Sequence, residues 1–206
     1  MKKGLFGFLL ALAIVGWAVP GWTNSYKGFE RGQALISPQE LHQKLQDDSR
    51  EDPVVLSVSR PSTYRVGHIP GSRNVWRPDF NAPVGKPWPY GGMIEDRKDF
   101  QAFARNLGID DDSEVVVYSH KYDATRLWWA FYLYGKKDVR VLDGGYPGWT
   151  QAGYEVDRVF AAEHPDRGNF TAEDPRPGWR AQIGDLWRAR QQADWNLLDT
   201  RGKAEW

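Results

Sequence analysis

The sequence predicts an α/β fold, a parallel sheet with helices on both faces, spanning residues 34–160. Two observations predict it. Short β-branched apolar runs recur at Val54–Val58, Val115–Tyr118 and Val139–Leu142, the pattern of strands buried on both faces. Between them lie segments whose apolar residues repeat at helical spacing. Strands that alternate with helices in this way build a parallel sheet through crossover connections. The chain has 206 residues, enough for one domain and the start of a second. With 41% hydrophobic and 26% charged residues, it reads as a folded chain and not a disordered one.

Lys2 and Lys3 precede an apolar run over residues 5–19. Basic residues ahead of a short apolar core form a secretory leader pattern, and the run is shorter than the ~20 residues a spanning helix needs. Residues 1–23 are therefore expected to be a signal peptide. Bulky Trp17 lies between Gly16 and Ala18 where a cleavage site would fall, so an N-terminal anchor is the alternative. Either way the chain is expected to be exported, to the periplasm or the cell exterior, touching membrane only through this segment.

Ser37-Pro38-Gln39-Glu40 reads as a helix start, with Ser37 as cap, Pro38 at the first helical position and Glu40 closing a capping box. Leu41 and Leu45 share its apolar face, and the helix should end in the polar stretch 47–52. Pro61 ends the strand at Val54–Val58, and Gly67-His68-Ile69-Pro70-Gly71 forms a turn. Residues 77–92, rich in Pro and Gly, are expected as a surface loop. Phe100, Phe103, Ala104 and Leu107 mark a helix that Gly108 stops. After Val115–Tyr118 comes the polar loop 119–123, then a helix with Leu127, Trp128 and Phe131 on its apolar face, closed by Gly135. Asp143-Gly144-Gly145 turns the chain after Val139–Leu142 into a short helix through Trp149 to Ala152, ended by Gly153.

Residues 161–178 are polar and hold Pro165, Pro175 and Pro177, the composition of an extended linker. An echo of the start follows over 179–206. Val55-Leu56-Ser57-Val58-Ser59-Arg60-Pro61-Ser62-Thr63-Tyr64 aligns with Leu197-Leu198-Asp199-Thr200-Arg201-Gly202-Lys203-Ala204-Glu205-Trp206, and Leu41 and Leu45 align with Leu186 and Ala189 or Arg190. Repeats at this scale mark duplicated units. One helix and one strand cannot bury a core of their own, so either the tail docks on the first domain or the second copy is incomplete, and the latter is expected.

The composition excludes several functions. Formal net charge is zero and Cys is absent. Zero net charge argues against a nucleic-acid binder. Without Cys the chain has no disulfide, thiolate metal site or thiol nucleophile. The histidines, His42, His68, His120 and His164, show no paired metal spacing, and no metal or cofactor is expected. Asp143-Gly144-Gly145 lacks the Lys and Ser or Thr of a phosphate loop. Ser119 follows a strand and precedes a helix, as an elbow serine does, but Val117 and Lys121 replace both glycines of the G-x-S-x-G pattern. It is expected to be satisfied by local backbone. Of the adjacent Trp128 and Trp129, one faces the core and the other is left to cover a partner domain.

Four segments resemble the rhodanese family. They are Leu35-Ile36-Ser37-Pro38-Gln39-Glu40-Leu41; Val54–Tyr64 leading to Gly67-His68-Ile69-Pro70-Gly71-Ser72-Arg73-Asn74-Val75; Val115–Tyr118 followed by Ala124-Thr125-Arg126-Leu127-Trp128-Trp129; and Val141-Leu142-Asp143-Gly144-Gly145 with Trp149 and Gly153. The nearest likeness is the N-terminal, non-catalytic domain of the two-domain thiosulfate or 3-mercaptopyruvate sulfurtransferases. The resemblance implies a rhodanese-like fold and a reaction in which a cysteine thiolate takes a sulfane sulfur from thiosulfate or 3-mercaptopyruvate and passes it to cyanide or another thiophile. It assigns Ser119 to the nucleophile's position, so this chain is expected to be inactive alone. Ser57 and Ser59 stand where active copies carry Asp and Arg, which the second copy retains as Asp199 and Arg201. The missing partner is the rest of a second rhodanese domain. His120, Lys121 and Arg126 are candidate binders of a small thiosulfate-like anion at the helix N-terminus. His68 is expected to be structural. The alternative function is a non-catalytic exported module that binds an anion or a protein.

Overall fold

Three apolar runs make the centre of the sheet because they alone supply side chains for both of its faces. In the computed structural model, which describes residues 26–29, 32–48, 52–85, 91–159, 165–175, 177–198 and 202, five strands line up in the order β1-β5-β4-β2-β3. They are β1 (Leu35–Ile36), β2 (Val54–Val58), β3 (Arg73–Val75), β4 (Val115–Tyr118) and β5 (Val139–Leu142). All four pairings are parallel, with Val55 opposite Val116, Val117 opposite Val141 and Ser57 opposite Asn74. Every residue of β4 is buried, as a central parallel strand demands. The edges β1 and β3 escape sequence reading. They are two and three residues long, and Arg73-Asn74-Val75 has no apolar period.

Successive side chains of a strand point to opposite faces. Leu56, Val58, Val115 and Val117 turn one way, into a core with Phe100, Leu127, Phe131 and Tyr134. Val55, Val116 and Tyr118 turn the other way and meet Ile36, Leu41 and Trp149. The first face is covered by α3 (Arg97–Asn106) and α4 (Asp123–Leu133), the second by α1 (Pro38–Lys44) and α5 (Gly145–Gln151). A four-residue helix, α2 (Pro61–Tyr64), follows β2. The strand stops at Val58, and Pro61 serves as a helix start, a place its fixed φ suits.

Ser37 Oγ accepts the Glu40 N–H at 3.0 Å, so α1 is capped as its sequence predicts. The other half of the box is not made. The Glu40 carboxylate accepts from Arg140 at 2.6 Å instead, a charged partner offering the stronger bond. The helix ends at Lys44, ahead of the polar stretch 47–52.

The surface-loop reading of 77–92 is wrong for its first half. Arg77–Phe80 forms a 3-10 turn that buries Phe80 completely against Phe103, and Asn81 bridges Ile94. Residues 86–90 lie outside the described residues.

The expected linker is extended over 165–175, but it is packed onto the domain. The Gly168, Phe170 and Glu173 N–H groups donate to the carbonyls of Arg105, Ile109 and Tyr134 at 2.9, 3.0 and 2.9 Å. Phe170 and Ala172 enter the first core. At Gly168 a Cβ would lie 2.1 Å from the Ile109 carbonyl oxygen, so only glycine lets the strap approach this closely. The core thus extends beyond residue 160.

The echo segment forms α6 (Ile183–Ala189). Ala189 is buried, and Trp179 packs against Tyr132 with ring centroids 4.8 Å apart. Leu197 and Leu198, the described start of the stretch expected as a strand, pair with none of the described strands. Gln33–Trp206 is one unit; Met1–Gly32 is a separate one, in which Tyr26–Gly28 is a 3-10 turn. Residues 1–23, Asp199 and Arg201 lie outside the described residues. Among the described residues no helix is long and apolar enough to cross a membrane.

Candidate functional site

The parallel sheet delivers the loop 119–122 to the C-terminal end of β4, where it leads directly into α4. Ser119 is 2% exposed. Its Oγ donates to the Lys121 carbonyl at 3.0 Å and accepts the Ala124 N–H at 3.2 Å. Both partners are backbone groups, as expected for a loop serine. Behind it, the Tyr146 N–H donates to the Ser119 carbonyl at 3.0 Å. A Cβ on Gly145 would fall 2.2 Å from that carbonyl oxygen, and Gly145 has φ +56. Glycine at this position therefore lets α5 press against the loop.

A serine nucleophile needs a base within hydrogen-bond reach. None of the described imidazoles or carboxylates bonds Ser119 Oγ. His120 turns its ring to Tyr146, with centroids 4.6 Å apart, and burial holds its pKa below the usual imidazole value. The loop between β4 and α4 thus carries on its floor a hydroxyl whose bonds go to backbone groups.

The three candidate anion binders do not converge. Lys121 is exposed, and His120 lies on Tyr146. Arg126 reaches away from the loop, bonding Asn81 Oδ1 at 3.0 and 3.3 Å and the Gly92 carbonyl. Burial, and then the charge of Arg77, lowers its pKa. Sequence reading missed the pair Arg77–Asp123, joined at 2.5 Å. Asp123 is the first residue of α4, so its carboxylate already occupies the positive end of the helix dipole. In the first turn, the Ala124 N–H bonds Ser119 Oγ and the Thr125 N–H bonds the Tyr122 carbonyl.

Next to the loop, polar groups on β2, β3, β4 and the turns beside them satisfy one another. Ser57 and Ser59 hydroxyls lie 3.0 Å apart, and Asn74 Nδ2 donates to the Ser59 carbonyl at 2.9 Å. The Tyr118 hydroxyl accepts the Ile69 N–H at 3.0 Å and lies 2.9 Å from Ser72 Oγ. Burial pushes its pKa up to about 12. These positions form a neutral hydroxyl ladder with no ion pair. His68 stacks on Tyr64 at 3.7 Å, its Nδ1 is 2.9 Å from the Tyr64 carbonyl, and its backbone bridges Asp157. It is structural, as the Gly-His-Ile-Pro-Gly turn suggested. Trp128 donates to the Val139 carbonyl at 2.9 Å and stacks on Tyr132. Among the described residues no acidic, His or Cys cluster could hold a metal ion. His164 lies outside them.

The rhodanese-like domain family matches residues 37–152. The chain belongs to that family. Among curated proteins it is 32% identical over 144 residues to thiosulfate/3-mercaptopyruvate sulfurtransferase 2 of Arabidopsis thaliana, covering 65% of this chain and 40% of that protein. It is 31% identical over 148 residues to the sulfur carrier protein TtuD of Thermus thermophilus, covering 68% and 47%. With the putative thiosulfate sulfurtransferase SseB of Mycobacterium tuberculosis it shares 34% over 157 residues, 68% and 51%. The chain thus spans about half or less of the length of these relatives. Among solved structures, the 3-mercaptopyruvate sulfotransferase SseA of Escherichia coli superposes with a TM-score of 0.71 at 21% identity, covering 84% of this chain and 67% of that one. That likeness shows the rhodanese-like fold: the same parallel sheet, flanked by helices.

Proposed function

We propose that this rhodanese-like domain is the non-catalytic kind found beside a thiol-bearing partner in thiosulfate or 3-mercaptopyruvate sulfurtransferases, and that it does not transfer sulfur by itself. One observation supports this most: the floor of the loop holds the Ser119 hydroxyl, in a chain with no cysteine. Sulfane sulfur transfer needs a nucleophile that ionises near neutral pH and leaves as a thiolate. An unactivated alcohol does neither. Any persulfide in a reaction this domain serves is then carried on a thiol outside these 206 residues. Export rests on the leader pattern of Lys2, Lys3 and residues 5–19.

The test is thiocyanate formation from thiosulfate and cyanide by the purified chain. The expected rate equals that of a heat-denatured control. A rate that scales with native protein overturns the proposal.

A further inference from the structure

A second concave site lies at the opposite edge of the sheet. All five strands run the same way, so the loop that holds Ser119 opens where they end. The C-terminal ends of α1 and α5, and the Pro70-Gly71 turn that leads into β3, gather where strands begin. Between them is a pocket of about 520 Å³, within the size range of small-molecule sites.

Its chemistry is one-sided. Trp149, 2% exposed, contributes to the floor. Tyr154 lies against it with centroids 4.9 Å apart, and His42 stacks on Tyr154 at 4.1 Å and meets Trp149 edge-on at 5.9 Å. Asp52 and Glu155 supply two carboxylates, and no Lys or Arg is among the described lining residues. The cation on α1 beside this site, Lys44, is drawn off to Glu114 at 2.8 Å. The carbonyl ends of α1 and α5 add negative potential. Aromatic rings, carboxylates and helix C-termini all favour the same charge on a ligand.

We propose that this pocket binds a small organic cation, an alkylated ammonium group whose apolar shell meets the rings while its charge faces Asp52 and Glu155. The site is separate from the Ser119 loop and does not depend on sulfur chemistry. Its reporter is built in: the Trp149 indole N–H donates to the Glu155 carbonyl at 2.7 Å.

The experiment follows the indole Nε1–H resonance of Trp149, identified by its loss in Trp149→Phe, during titration of the full chain with tetramethylammonium chloride. Controls are sodium chloride at equal ionic strength and tert-butanol as an uncharged isostere. A saturable shift with tetramethylammonium alone is expected. Binding should weaken about tenfold in Asp52→Asn/Glu155→Gln, where two exposed charges are removed without touching the core. Tyr154→Leu should weaken it too. The absence of a saturable shift overturns the proposal. So does an equal response to tert-butanol, or binding undiminished in the double variant whose remaining spectrum matches the parent.

Discussion

Two stretches of this chain share one pattern and differ in what surrounds them. In the first, Leu41, Val55 and Leu56 are at most 3% exposed. In the second, the matching Leu186, Leu197 and Leu198 are 41, 46 and 86% exposed. Both stretches form a short helix, α1 and α6, with an acidic residue in its first turn, Glu40 and Asp185. The local signals were enough for a helix each time. What the second stretch lacks among the described residues is a neighbour such as β4, whose pairing with β2 turns an apolar run into a buried strand. Local pattern selects the element, and the sheet supplies the burial.

The strap over residues 165–175 sharpens this contrast, because its composition is as polar as a linker while Phe170 and Ala172 sit in the core. Phe170→Ala should cost about 3–5 kcal/mol, the usual price of emptying a buried aromatic site. Urea denaturation measures it. A loss below about 1 kcal/mol would return the segment to linker status.

The direct comparison of the two copies comes next. Leu41→Ala should lower stability by about 2–5 kcal/mol, whereas Leu186→Ala should change it by less than about 0.5 kcal/mol. Equal effects would mean that the second copy is packed as tightly as the first.

Much of this architecture was legible in the sequence because the central strands are uniform. Val54–Val58, Val115–Tyr118 and Val139–Leu142 carry their burial in their composition. The edge strands are different. Arg73-Asn74-Val75 extends because β2 offers a hydrogen-bonding edge, a cause that lies in the neighbour. The same holds for Phe80, inside a Pro- and Gly-rich stretch, and for the strap. At the candidate site, the sequence showed the missing thiol and the local fate of the Ser119 hydroxyl. It did not show that Asp123 pairs with Arg77, or that Arg126 clamps Asn81. Those are contacts 45 or 46 residues apart in the chain, and no local spacing encodes them.

A more moderate effect concerns the ion cluster that joins α1 to β5. Burial on its own raises the Glu114 pKa, but hydrogen bonds from Lys44 and Arg140 outweigh it and hold the carboxyl below its ordinary value. Its stabilisation is therefore complete above the unfolded glutamate value of about 4.3 and is lost as pH falls through the lower folded value. Glu114→Gln should cost about 1–2 kcal/mol near neutral pH and flatten that acid limb. An unchanged pH–stability curve would show that the cluster does not contribute. In the second copy, Arg188 and Asp185 form an exposed pair, and removing it should be nearly silent.

The most direct measurement is intact-mass spectrometry of the native chain after incubation with thiosulfate, and separately with 3-mercaptopyruvate. With an alcohol at position 119 and no thiol elsewhere, the protein should keep its starting mass, while Ser119→Cys provides the positive comparison. A cyanide-labile gain of one sulfur atom on the unaltered chain would contradict the reading of this domain as non-catalytic.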